Sequence, residues 1–72
     1  MMNQVVAQMA GTVFQVLVGK GDKVEQGQIV IVLESMKMEI PLESEISGTV
    51  SEVLVQEGDF VNEGDVLVVL EA

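Results

Sequence analysis

Gly48-Thr49-Val50-Ser51-Glu52-Val53-Leu54-Val55 repeats Gly11-Thr12-Val13-Phe14-Gln15-Val16-Leu17-Val18, and the organisation of the chain follows from that repetition. The match resumes at Gly21-Asp22-Lys23-Val24-Glu25-Gln26-Gly27 over Gly58-Asp59-Phe60-Val61-Asn62-Glu63-Gly64. It closes with Ile31-Val32-Leu33-Glu34 over Val68-Val69-Leu70-Glu71. The offset stays at 37 residues from Gly11/Gly48 to Glu34/Glu71 without a gap. Roughly half of the aligned positions are identical, which marks an internal duplication. Two copies are too few for a solenoid, which needs about three. The expectation is a single domain over residues 1–72, with repeat halves at about 9–35 and 46–72 forming one closed sandwich.

Each copy reads as two strands. The first runs from Thr12 to Val18 and again from Thr49 to Val55. Its apolar positions Val13, Val16, Val18 (and Val50, Val53, Val55) step by three and then by two. Strict alternation steps by two, so a bulge is predicted near Phe14-Gln15 and near Ser51-Glu52. Gly-Asp-x-Val-x-x-Gly follows, with glycines for turns and one valine aimed at the core. The second strand, Gln28 to Ser35 and Asp65 to Glu71, is almost continuously apolar, as expected of a strand covered on both faces. Between the copies, Pro41 lacks an amide donor and belongs on an edge strand or at a strand start. Glu43-Ser44-Glu45 reads as a polar turn.

Composition agrees with an all-β class. Hydrophobic residues make up 49% of 72, with no Trp or Tyr and only two Phe, so the core is aliphatic and rich in strand-favouring side chains. A chain this short buries only about 60% of its unfolded surface. The net charge is −9 and every cation is a lysine. Nucleic-acid binding needs a basic footprint, and anionic membranes would repel such a chain, so neither is an expected partner. The longest apolar run, Ile29 to Leu33, is far short of the roughly 20 residues of a membrane helix. Met1-Met2-Asn3-Gln4 has neither a basic n-region nor an apolar stretch, so no signal peptide is expected and the expected location is cytoplasmic.

Little in the chain can do chemistry. There is no His and no Cys, hence no imidazole base, no thiol nucleophile and no thiolate metal site. Gly19-Lys20-Gly21 fails as a dinucleotide fingerprint because Val24 stands where the third glycine should be, and the acidic residues match no calcium loop. The chain is not expected to be an enzyme, and no metal site is expected.

Glu34-Ser35-Met36-Lys37-Met38-Glu39 is the exception. A lysine in a β-rich domain is ordinarily a solvated charge. Here it stands between two methionines at an expected hairpin tip, and methionine is common on recognition surfaces. A two-residue hairpin normally uses Asn-Gly or Asp-Gly. Only Met and Lys are available, so a residue held at positive φ here carries strain of about 1–3 kcal/mol. Moving Lys37 by the repeat offset lands just outside either end of the chain, so a pseudo-twofold would set this turn opposite both termini.

This stretch, with the Gly-Thr-Val, Gly-Asp-x-Val-x-x-Gly and terminal Val-Leu-Glu patterns, resembles the biotinyl/lipoyl attachment domain family, whose motif is Ala-Met-Lys-Met with acidic neighbours. The likeness covers about Val5 to Glu71 and is nearest to small free-standing attachment proteins of the acetyl-CoA carboxylase carrier type. The resemblance implies a flattened barrel or sandwich of two four-stranded antiparallel sheets. It also implies that Lys37 is biotinylated by a biotin protein ligase and carries carboxybiotin between biotin carboxylase and carboxyltransferase sites. Glu34, Ser35, Met36, Met38 and Glu39 would be its recognition residues. Ser35 replaces the family's Ala, and the "thumb" insertion of some bacterial carriers is absent. Two other readings stand beside this one. A lipoate (or dual biotin/lipoate) carrier of a 2-oxoacid dehydrogenase or glycine-cleavage system shares the fold, but lipoyl domains typically have Asp-Lys-Ala at the lysine. An unmodified structural interaction module shares the Gly-Asp-x-Val-x-x-Gly halves.

Overall fold

The computed structural model describes residues 2–72. Eight strands follow in chain order: β1 (Met2–Val6), β2 (Gly11–Val16), β3 (Lys23–Val24), β4 (Ile29–Ser35), β5 (Met38–Glu43), β6 (Gly48–Val53), β7 (Phe60–Val61) and β8 (Val66–Glu71). They form two four-stranded sheets, ordered β1-β8-β6-β3 and β5-β4-β2-β7, and every pairing is antiparallel. Among the described residues all strand ladders lie within one sheet or the other, so the sandwich is flattened and open at its edges rather than closed. The reason lies in the edge strands: β3 and β7 are two residues long and too short to bridge onto the opposite sheet.

The halves are interlocked. β3 of the first copy pairs with β6 of the second, and β7 of the second pairs with β2 of the first. Each exchange buries one valine, Val24 or Val61, in the shared core. The connecting turns repeat the reciprocity. Gly21 N–H donates to the Val50 carbonyl and Gly58 N–H to the Val13 carbonyl. Both glycines sit at φ above +90° in turns closed by an aspartate. Asp22 Oδ2 accepts from Gly19 N–H, and Asp59 Oδ2 from Gln56 N–H, each at 2.8 Å. Neither half has a complete core without the other.

The predicted bulges are present. Register shifts between Val13 and Gln15 on β2 and between Val50 and Glu52 on β6, leaving Phe14 and Ser51 as the extra residues. A further pair explains the continuous apolar runs differently from the expectation of cover on both faces. Between Ile29 and Ile31, and between Val66 and Val68, the ladder skips a residue. The extra residue lets Val30 and Ile31, and likewise Leu67 and Val68, both enter the core. Val32 is buried but lies outside the core cluster.

The strand assignments need three corrections. β2 and β6 end at Val16 and Val53, although Leu17 and Leu54 still donate single bonds to Val30 and Leu67. β1 and the two-residue strands carry no readable alternation of their own. Ser44, expected in a polar turn, is buried, and its hydroxyl bonds the Ile46 backbone. Ser44 occupies the position of Ala7 in the other half: the backbone of each pairs with the turn ahead of the neighbouring strand, Gly27-Gln28 or Gly64-Asp65. The structural correspondence therefore reaches through β1 and β5, although no residue from Met2 to Ala7 is identical to its counterpart from Glu39 to Ser44. Pro41 is on the edge strand β5, as its missing amide requires.

Gly11 and Gly48 answer a common demand. A Cβ on Gly11 would stand 2.8 Å from the Glu34 carbonyl oxygen, and one on Gly48 2.5 Å from that of Glu71. Neighbouring backbones approach too closely at these points for any side chain. Gly11→Ala is expected to destabilise the domain by about 1–3 kcal/mol. That loss appears as a fall in melting temperature of about 4–8 °C per kcal/mol, measured by thermal unfolding.

Candidate functional site

The lysine stretch is a tight hairpin. Ser35 and Met38 are its last paired residues, and Met36 and Lys37 form the loop at φ 53° and 64°. Positive φ at both central residues is the type I′ pattern that hairpins favour because it matches strand twist. Neither Met nor Lys prefers it, since a Cβ crowds the following carbonyl there. The core imposes the turn. Leu33 is fully buried and pairs with Ile40, which packs against the core; Ile31 pairs with Leu42. A one-residue slip would turn Leu33 outward, so these pairs set where the chain reverses.

All six residues expected at the site come together on this hairpin. Lys37 is exposed at the tip, with Met36 87% and Met38 61% exposed beside it. Glu34 and Glu39 are directly paired and exposed, a like-charge arrangement that costs stability in a sheet. Ser35 is half-buried, and its Cβ lies 3.5 Å from where a Cβ on Gly11 would be. Space at this position is limited, so a small residue fits in place of the family's Ala. Lys20 and Lys23 are exposed as well. Exposure alone therefore does not distinguish Lys37; its strained turn and apolar flanks do.

The supporting residues Gly11 and Thr12 were not among those expected at the site. Thr12 pairs with Glu34, and Gly11 admits the Glu34 carbonyl. Their signal was present in the repeat, where Gly11-Thr12 and Gly48-Thr49 are identical, but it read as a strand start. The Met2–Glu71 pairing puts the chain ends at the position equivalent to the hairpin, across the pseudo-twofold and in the other sheet.

The hairpin holds more strain than the fold requires. Replacing Met36→Asn together with Lys37→Gly is expected to raise stability by about 1–2 kcal/mol, read as a higher denaturant midpoint with unchanged slope.

Comparison with known proteins agrees with this geometry. The sequence matches the family described as "Biotin-requiring enzyme" over residues 3–70. The "Biotin/lipoyl attachment protein" of Bacillus subtilis is 59% identical over 38 residues, covering 53% of this chain and 52% of that protein. The "Biotinylated protein TB7.3" of Mycobacterium tuberculosis is 45% identical over 42 residues, covering 58% of this chain and 59% of the relative. The chain thus spans little more than half the length of these relatives. Among solved structures, the urea carboxylase of Kluyveromyces lactis contains a segment that superposes with a TM-score of 0.92 at 31% identity. The match covers 99% of this chain and 6% of the carboxylase. With sequence, topology and lysine hairpin all in agreement, the chain belongs to the biotin-requiring (biotin/lipoyl) family.

Proposed function

We propose that the domain is a biotin carboxyl carrier, covalently acylated on Lys37 by a biotin protein ligase. The observation that carries this reading is the exposed lysine held in a strained I′ turn between two exposed methionines. The chain has no His or Cys and acts as a carrier, so its working group is added to it. A lysine side chain in water is overwhelmingly protonated at pH 7. The ligase therefore supplies the base and an activated acyl donor. The Lys37 nitrogen forms the amide, a proton and the donor's leaving group depart, and the domain becomes one charge more negative.

The residues fit this task. Short, rigid strands on both sides place the amine at a fixed point on the tip, and Met36 and Met38 offer adaptable apolar contacts to the enzymes that approach it. Attached biotin supplies the capacity to accept and release a carboxyl group. The tether keeps it at high local concentration for both carboxylase active sites, and the interlocked sandwich keeps its anchor from moving.

Co-expression with a biotin ligase is expected to add one biotinyl group by intact mass, and Lys37→Arg to abolish the gain while Lys20→Arg and Lys23→Arg retain it. Modification by a lipoyl ligase alone would instead favour the lipoate carrier. No gain with either enzyme sinks the carrier reading. Met36→Ala with Met38→Ala is expected to lower the ligase's kcat/KM by about tenfold, a typical loss for contacting residues, without lowering the melting temperature.

A further inference from the structure

The duplication supplies an internal comparison, because each outward position of one sheet has a counterpart on the other. A row crosses the outer face of the β5-β4-β2-β7 sheet: Phe60–Thr12–Glu34–Glu39. Its counterpart crosses the other sheet as Lys23–Thr49–Glu71–Met2. Beside each row is a bulged residue, Phe14 on the first sheet and Ser51 on the second. Val13 and Val16 face the core on either side of the bulge, so Phe14 and Gln15 between them face outward. Phe14 is 43% and Phe60 66% exposed. The only two aromatic residues of the chain thus lie on the outer face of the sheet that carries Lys37, and polar residues replace them on the other.

The scaffold does not demand this. Ser51 and Lys23 occupy the equivalent backbone positions on the other sheet, so the fold accepts polar side chains there. Exposed apolar residues that belong to the scaffold appear in both halves, as Leu17 and Leu54 do at 50% and 49% exposure. Phe14 and Phe60, one from each half, are confined to a single sheet. Their surroundings are acidic: Glu34 and Glu39 complete the row, and Glu57 Oε2 accepts from the Val16 N–H next to the bulge. A second copy of this chain, itself at −9, would set carboxylates against carboxylates. The complementary surface is basic, with an apolar recess for aromatic anchors.

We propose that this outer face is the docking surface for the ligase that acylates Lys37, received by an apolar recess on the ligase that is rimmed with lysine or arginine. The assignment rests on Lys37 being the acylated residue. Before acylation the amine extends only a four-carbon stem from the hairpin, so the acylating enzyme must come down onto the surface around it. The Glu34 position is about 7 Å from the tip along the strand, and Phe60 is about 10 Å further across two strands, well within one enzyme footprint.

The test is steady-state acylation by purified biotin ligase with the intact domain as the varied substrate. Phe14→Ser with Phe60→Lys installs the residues of the opposite sheet and is expected to raise KM roughly tenfold or more with little change in kcat, the loss expected for aromatic anchors. Phe60→Ala, which adds no charge, is expected to raise KM severalfold. The mirror variant, Lys23→Phe with Ser51→Phe, leaves KM unchanged. An unchanged KM for Phe60→Ala overturns the docking face, as does an equal rise in the mirror variant. Sedimentation showing a dimer that the Phe14→Ser/Phe60→Lys exchange dissolves would assign the face to a second copy instead. Those outcomes leave the carrier reading intact, whereas a wild-type chain that is never acylated overturns both.

Discussion

The burial of β4 governs the site. Val30, Ile31 and Leu33 are fully excluded from water, and each such side chain stabilises by about 1.5–3 kcal/mol. Two residues at positive φ cost about 1–2 kcal/mol apiece. The packing term is the larger, so the register of β4 on β5 holds and Met36-Lys37 takes the turn that its own propensities oppose. The strain is local to the residues that present the amine. A looser loop would spare it but would let the amine wander.

The glycine contacts show how that arrangement is held from beneath. Gly11 allows β2 to approach the Glu34 carbonyl at the foot of the hairpin. The small Ser35 occupies the limited space beside it. Thr12 continues the ladder from Glu34 to Phe60, tying the hairpin to the strand that the second half contributes. The lysine turn is therefore anchored by both copies, although it belongs to neither.

Duplication also separates what the fold needs from what is added to it. Gly11/Gly48, Val24/Val61, the paired bulges and the Asp-closed turns recur in both halves, and each solves a backbone or core problem. Phe14 and Phe60 give way to Ser51 and Lys23, and Met36 has no counterpart in either copy. Phe14, Phe60 and Met36 are large apolar side chains gathered around one end of one sheet, where burial cannot explain them.

Much of this was legible in the residues. The 37-residue offset, the valine steps of three and two, Pro41 at an edge and the Met-Lys-Met tip each depend on local pattern or local chemistry, and the sequence by itself determined the β class, the first pair of bulges and the lysine. The second pair of bulges, at Val30 and Leu67, was hidden because a continuous apolar run looks the same whether a strand is covered on both faces or inserts an extra residue. β1 was hidden because its relation to β5 survives only in burial, Val5 with Leu42 and Ala7 with Ser44. Tertiary structure alone decided that β3 and β7 change sheets, that the sandwich stays open, and that Phe14 and Phe60 share the outer face with the lysine hairpin. The physical reason is that pairing between strands far apart in the chain depends on which backbone edges meet, and no local sequence pattern encodes that meeting.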